Sequence, residues 1–263
     1  MWSRRMSAAI VAAGLFAIPA LVLGQTQSAP ARGGAPDQAR SGGRGADERT
    51  AEKRPDPKRY DRQVQAFLDA DKTDPPAACQ ILFVGSASIS GWRTIKEDLA
   101  PHPVFARGLG ASTVEDQLYY FDKIVTPYKP RAIFLYAGEN DVVNGLTPDE
   151  VLGDMKKYMD YKTRTLGNTP VYYISAKASP ARLQNAQDQQ KANELVQGLT
   201  TQRKDLTYID VAHGVWENGK LFGKLLPVFI EDGIHLNDVG RKEWTRVIKP
   251  HVDKEAARKD ACR

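Results

Sequence analysis

Histidine and cysteine are scarce in this chain, at four and two of 263 residues. A dedicated transition-metal centre has little to be built from, because His, Cys and carboxylates must cluster to hold such an ion. No second histidine lies within a few residues of His235, His213 is separated from it by a long loop, and neither cysteine is near. With only Cys79 and Cys262, a multi-bridge disulfide scaffold is excluded, leaving one bridge or two free thiols. No internal repeat is present.

Positive charge is in small excess, +5 overall with a pI near 9.1. Two of those charges, Arg4 and Arg5, lie in residues 1–24, and residues 25–60 carry eight Lys or Arg against five Asp or Glu. Residues 61–263 are therefore neutral, which argues against a basic face for nucleic acid. Arg4 and Arg5 precede an apolar stretch over 8–23, with Val22 and Gly24 at the minus-three and minus-one positions of a cleavage site. The expectation is a secretory signal over 1–24 and a periplasmic or extracellular location. An uncleaved anchor is the alternative, since the stretch approaches the roughly 20 residues that span a bilayer. After cleavage no stable membrane insertion is expected. Residues 25–60 are rich in Gly, Pro, Ala, Ser and Arg and nearly free of large apolar residues. They cannot offset the entropy of ordering and read as a disordered tether. The folded domain is expected over 61–263.

Within it, short apolar runs over 81–85, 104–108, 132–138, 171–175 and 206–211 predict strands, and 113–125, 147–165, 182–203 and 241–257 predict helices. Thr147-Pro148-Asp149-Glu150 is a strong helix start, with Thr as N-cap and Pro at the first helical position. Alternating β and α segments with near-continuous apolar strands imply an α/β fold, a parallel sheet covered on both faces. Such sheets bind ligands at the carboxyl ends of their strands. Cys79 precedes the first strand and Cys262 follows the last helix, so both belong to the opposite edge. A bridge there would close a loop of about 180 residues, a constraint valued at roughly 5 kcal/mol at most.

Four blocks stand at or beyond the expected strand ends: Gly85-Ser86-Ala87-Ser88, Gly108-Leu109-Gly110-Ala111-Ser112, Gly138-Glu139-Asn140-Asp141 and Asp232-Gly233-Ile234-His235. An Asp three residues before a His lets the carboxylate orient one ring nitrogen while the other faces a nucleophile. A metal site is the weaker use of the same pair. Asn140 offers a neutral donor suited to a developing oxyanion, the loss of which typically costs about 2.7–4 kcal/mol of transition-state stabilisation; the bland alternative is an Asn that supports its own turn. Glu139 and Asp141 read as structural.

In order and spacing these blocks resemble the SGNH hydrolase superfamily, the GDSL-type esterases and lipases. Arg107-Gly108, Pro127-Tyr128, Pro130-Arg131 and Ser179-Pro180-Ala181-Arg182 extend the resemblance over residues 80–250. It implies a flavodoxin-like three-layer sandwich with a five-stranded parallel sheet, and serine ester hydrolysis of a small-molecule, carbohydrate or lipid ester without cofactor or metal. It places His235 as base, Asp232 as its orienter, and Asn140 with the N–H of Ala111 as the oxyanion hole.

The chain departs from that pattern twice. The expected nucleophile falls on Ala87, in a register that Trp92 supports. Three readings stay open: a chain that binds and does not hydrolyse, a polysaccharide or lipid binder; a chain in which the serine has been replaced; and a shifted nucleophile at Ser86 or Ser88, whose bland alternative is capping of the next helix. The family's glycine before an Asp/Ser-Thr pair is Ala111, which keeps the N–H donor, but at positive φ the Cβ would cost roughly 1–2 kcal/mol.

Overall fold

The computed structural model describes residues 53–259 and 261–262; the expected leader and residues 25–52 of the expected tether lie outside them. Strands β1 (Ile81–Gly85), β2 (Val104–Gly108), β3 (Ala132–Tyr136), β4 (Val171–Ile174) and β5 (Leu206–Ile209) form one sheet in the order β2-β1-β3-β4-β5, with every neighbouring pair parallel. All residues of β1, β3 and β4 are buried, as expected of strands covered on both faces.

The helices are α1 (Asp61–Asp71), α2 (Ala87–Ser90), α3 (Ile95–Asp98), α4 (Val114–Tyr119), α5 (Phe121–Ile124), α6 (Glu139–Val143), α7 (Pro148–Leu166), α8 (Ala186–Leu199) and α9 (Asp238–Ala257). Side chains alternate across the strands. Leu82, Val84, Ile133, Leu135 and Tyr173 meet α1, α4, α5, α7 and α8 on one face. Ile81, Phe83, Phe134, Tyr136 and Tyr172 meet α2, α3 and α9 on the other. Phe83, Phe134 and Tyr172 stack across three paired strands, with centroids 4.6 and 4.5 Å apart. Each such fully buried ring contributes on the order of 1.5–3 kcal/mol by burial.

The chain leaves β1 toward the α2–α3 face and leaves β3 toward the α6–α7 face, although β1 and β3 are neighbours. That reversal opens a crevice at their carboxyl ends, where ligands of doubly wound sheets bind. Cys79 and Cys262 are bridged at the opposite edge, before β1 and after α9.

Several local expectations are modified. Residues 53–60, assigned to the tether by composition, are packed on the domain. Arg54 pairs with Glu115 at 2.7 Å and Asp154 at 2.6 Å, Pro57–Tyr60 forms a 3-10 turn, and Tyr60 is buried. Helix α1 escaped sequence reasoning, although Val64, Phe67 and Leu68 repeat at the spacing of one helical face. The expected helix 113–125 breaks at buried Tyr120, whose hydroxyl donates to Pro57 O and Asp61. The helix expected from 182 begins at Ala186, because a 3-10 stretch, Pro180–Asn185, turns Arg182 inward. The strong start at Thr147 is realised as a capping box with Glu150.

Candidate active site

Gly85 has φ +138, and a Cβ there would lie 2.1 Å from the Tyr136 carbonyl oxygen, so only glycine lets β1 run this close to the end of β3. Ser86 is buried and its N–H donates to Tyr136 O at 3.0 Å. Ala87 and Ser88 open the short helix α2 and are half-buried. The Ser88 side chain lies near the Tyr136 hydroxyl, which itself donates to Glu139. Burial, and next to it the Glu139 charge, holds the Tyr136 phenol well above its ordinary pKa.

The second block turns back over the first, with Leu109 N–H donating to Gly85 O at 2.8 Å. Ala111 sits at φ +60, the costly case foreseen for a residue with a Cβ, and its N–H has no partner among the described residues. The segment once assigned to the tether and α1 brace this loop: Tyr60 donates to Gly110 O at 2.7 Å and Gln63 to Gly108 O at 2.9 Å.

Asn140 is 6% exposed, in the turn entered through Gly138 at φ +101. Its Nδ2 donates to Ser112 O at 3.1 Å and its Oδ1 accepts from Arg182 at 3.0 Å, which fixes the orientation of the amide and leaves one N–H uncommitted. Asp141 accepts from Val114 N–H and Gly138 N–H, both at 2.9 Å, tying the second block to the third. Burial pushes its carboxyl up to about 7 against those two bonds.

Asp232 and His235 form a compact pair. Asp232 Oδ1 accepts from the N–H groups of Ile234 at 2.8 Å and His235 at 2.9 Å, and Oδ2 meets His235 Nδ1 at 2.5 Å. The bond to His235 foremost holds the Asp232 carboxyl down at about 2. With Nδ1 donating to the carboxylate, the neutral ring presents Nε2 as acceptor, the form a general base requires. Both side chains are about 40% exposed, at 41% and 38%.

His235 faces a cavity of about 360 Å³ that it lines with Ala87, Ser88, Ser90, Trp92 and Trp244. The structure thus joins the first and fourth blocks in one cavity, and the second and third by hydrogen bonds; Asn140 and Ala111 do not line the cavity. Ser86 does not line it either, and neither Ser86 nor Ser88 bonds the imidazole. Sequence reasoning missed Lys177 and Arg182 as neighbours of the site. The signal was a lysine in the otherwise small and apolar run Ile174-Ser175-Ala176-Lys177-Ala178, all of it buried. Among the described residues no group of three or more His, Cys, Asp or Glu is placed to hold a metal ion, and no helix is long and apolar enough to cross a membrane.

A doubly wound sheet with an Asp–His pair and an amide donor gathered at its switch point is the framework of a flavodoxin-like acyl hydrolase. The chain belongs to the GDSL-like lipase/acylhydrolase family, whose pattern matches residues 43–242. Its fold is similar to that of a GDSL-like lipase from Bacteroides thetaiotaomicron, at 21% identity and a TM-score of 0.58 over 76% of this chain and 98% of that one. A lipase/acylhydrolase from Enterococcus faecalis is similar at 18% identity and 0.53, over 70% and 100%. A catalytic mutant of an acetylxylan esterase from Geobacillus stearothermophilus is similar at 13% identity and 0.55, over 67% and 94%. No curated protein matches the chain.

Proposed function

We propose that this chain is an exported ester hydrolase acting on acyl or acetyl esters of carbohydrate, lipid or small alcohols, with His235 as base and Asp232 as its orienter. The observation that carries the reading is the 2.5 Å Asp232–His235 contact beside a cavity that also takes in the first block. Ala87 supplies no oxygen, so Ser88, which lines the cavity where Ser86 does not, is the nucleophile to favour. Its oxygen would attack the ester carbonyl as its proton passes to His235 Nε2. Asn140 Nδ2 and the Ala111 N–H would hold the oxyanion, the alcohol would leave with the proton from His235, and water would then release the acid. Export is supported by the Cys79–Cys262 bridge, since disulfides persist in oxidising compartments. Residues 1–24 would be the cleaved signal and residues 25–52 a tether to the domain.

A second reading, a non-hydrolysing binder of a polysaccharide or lipid, is favoured by Ala87 itself, which leaves no oxygen at the expected nucleophile position. Hydrolysis of a short-chain chromogenic ester decides between them. It is compared for the chain as it stands, Ser88→Ala, Ala87→Ser, and Ala87→Ser with His235→Ala. Activity in the unaltered chain that Ser88→Ala abolishes establishes the shifted nucleophile. Activity only in Ala87→Ser, lost with His235→Ala, establishes the binder with its machinery otherwise complete. Silence throughout sinks the hydrolase reading.

A further inference from the structure

The loop after β4 carries two cations into the interior. Lys177 has a side chain 0% exposed and Arg182 one 20% exposed, and both reach Glu139, itself 4% exposed. Buried charges are costly unless paired and hydrogen-bonded, so a group of three this deep calls for a reason beyond filling space. The partners indicate one. Arg182 Nη1 donates to Glu139 Oε1 at 2.8 Å and, in the same fork, to Asn140 Oδ1 at 3.0 Å. Lys177 Nζ lies 3.4 Å from Glu139 Oε2 and donates to the carbonyl of Ile234, next to His235, at 2.9 Å. Ala181 N–H donates to Gly233 O at 3.0 Å, a second tie to the same turn. The Tyr136 hydroxyl also donates to Glu139. One loop therefore grips both the Asn140 turn and the Asp232–His235 turn.

We propose that Lys177 and Arg182, joined through Glu139, form a clasp of positioning residues that fixes the Asn140 amide relative to His235 and strengthens Asn140 as a hydrogen-bond donor. The inference rests on the roles given above to Asn140 and His235. Its physical basis is twofold. A cation bonded to Oδ1 withdraws electron density from the amide and makes the remaining Nδ2–H a better donor, as in any chain of polarised hydrogen bonds. Two cations against one carboxylate also leave a unit of positive charge beside the place where an oxyanion would form, inside a region of low dielectric. Neither Lys177 nor Arg182 needs to touch substrate for this to act.

Nuclear magnetic resonance of the isotope-labelled full chain tests the clasp without requiring activity. Arg182→Met is expected to move the Asn140 side-chain N–H protons upfield, and Arg182→Lys to recover part of that shift. Lys177→Met is expected to move the chemical shifts of the His235 ring protons, since the Ile234 carbonyl beside it loses its partner. If Arg182→Met fails to fold, Arg182→Lys alone still decides, because the clasp requires a smaller shift in the same direction. Unchanged Asn140 resonances in either Arg182 variant, or unchanged His235 ring resonances in Lys177→Met, overturn the proposal. In Ala87→Ser, adding Arg182→Met is expected to lower kcat about tenfold with KM unchanged, since a weakened Asn140 donor is felt where the oxyanion forms, at the transition state. An equal loss in KM would reduce Arg182 to a structural role and also overturn the clasp. If no form of the chain hydrolyses ester, the hydrolase reading is what fails, and the resonance shifts still decide the clasp.

Discussion

The Asp232–His235 turn and the Asn140 turn stand at the same end of the sheet and are built in opposite ways. The first is half-exposed and its side-chain bonds are local: three lie within four consecutive residues, while Lys177 and Ala181 tie only its backbone carbonyls to a distant loop. The second is buried, and its amide is held by groups 28 and 42 residues away in the chain. A turn whose Asp–His pairing closes within four residues can be exposed because that pairing needs no distant side chain to form it. An oriented neutral amide in the interior needs partners on every side, and those partners must themselves be held.

The sharpest break between the two is expected from Asp232→Asn. In a serine-hydrolase triad the equivalent loss of the orienting carboxylate costs about 10⁴-fold in kcat, by leaving the wrong imidazole tautomer. Here the loss should appear in whichever form of the chain hydrolyses ester, with a denaturation midpoint close to that of the parent. Glu139→Ala should do the reverse to the fold. Removing the anion leaves Lys177 uncompensated in the interior, a change that costs about 3–5 kcal/mol and should show as a large fall in the urea midpoint. A parent-like midpoint would mean that water reaches Lys177 and that the contrast between the turns is overstated.

Smaller effects sharpen the same comparison. Ala111→Gly relieves the φ +60 strain, worth roughly 1–2 kcal/mol, against the greater chain entropy of glycine, about 0.5–1 kcal/mol; the net gain, about 1 kcal/mol or less, is measurable by denaturation. The pH dependence of Asp232 should be smaller still. Its carboxyl is held down at about 2 from an ordinary 3.8, so its contribution to stability is present above 3.8 and is lost as pH falls toward 2. Exposure screens this contribution, and the midpoint should drift only slightly across that window. Any acid limb in activity should lie well above the range in which the Asp232 carboxyl titrates, since that carboxylate stays ionised far below neutrality; a limb set by the carboxylate would contradict the Asp232–His235 geometry.

Much of this was legible in the residues. The runs at 81–85 and 104–108 became strands with those bounds, and the other three ended one or two residues early, where backbone groups turn to new partners. Val211 N–H, for example, donates to Ser175 Oγ rather than continuing β5. The Asp-x-x-His block was legible because its chemistry is contained in its spacing. The packing of residues 53–60 was not, because Tyr60 and Arg54 find their partners only on α4, α7 and the Gly110 loop. Arg182 was read as the start of a helix for the same reason: its non-helical turn is meaningful only once Glu139 and Asn140 stand opposite it.

The sequence by itself determined the parallel α/β sheet, the places of the four blocks at its strand ends, the Asp232–His235 pair and the alanine at position 87, since periodicity, glycine placement and short spacing act within a few residues. Only the tertiary structure decided that Ser88 faces both the cavity and Tyr136, that Ala111 bears a positive φ, and that Cys79 meets Cys262. It alone also revealed that Lys177 and Arg182 bind the two turns together. Each of these depends on segments distant in the chain being brought into contact by burial of the sheet, and on buried charges finding the partners that burial obliges them to have.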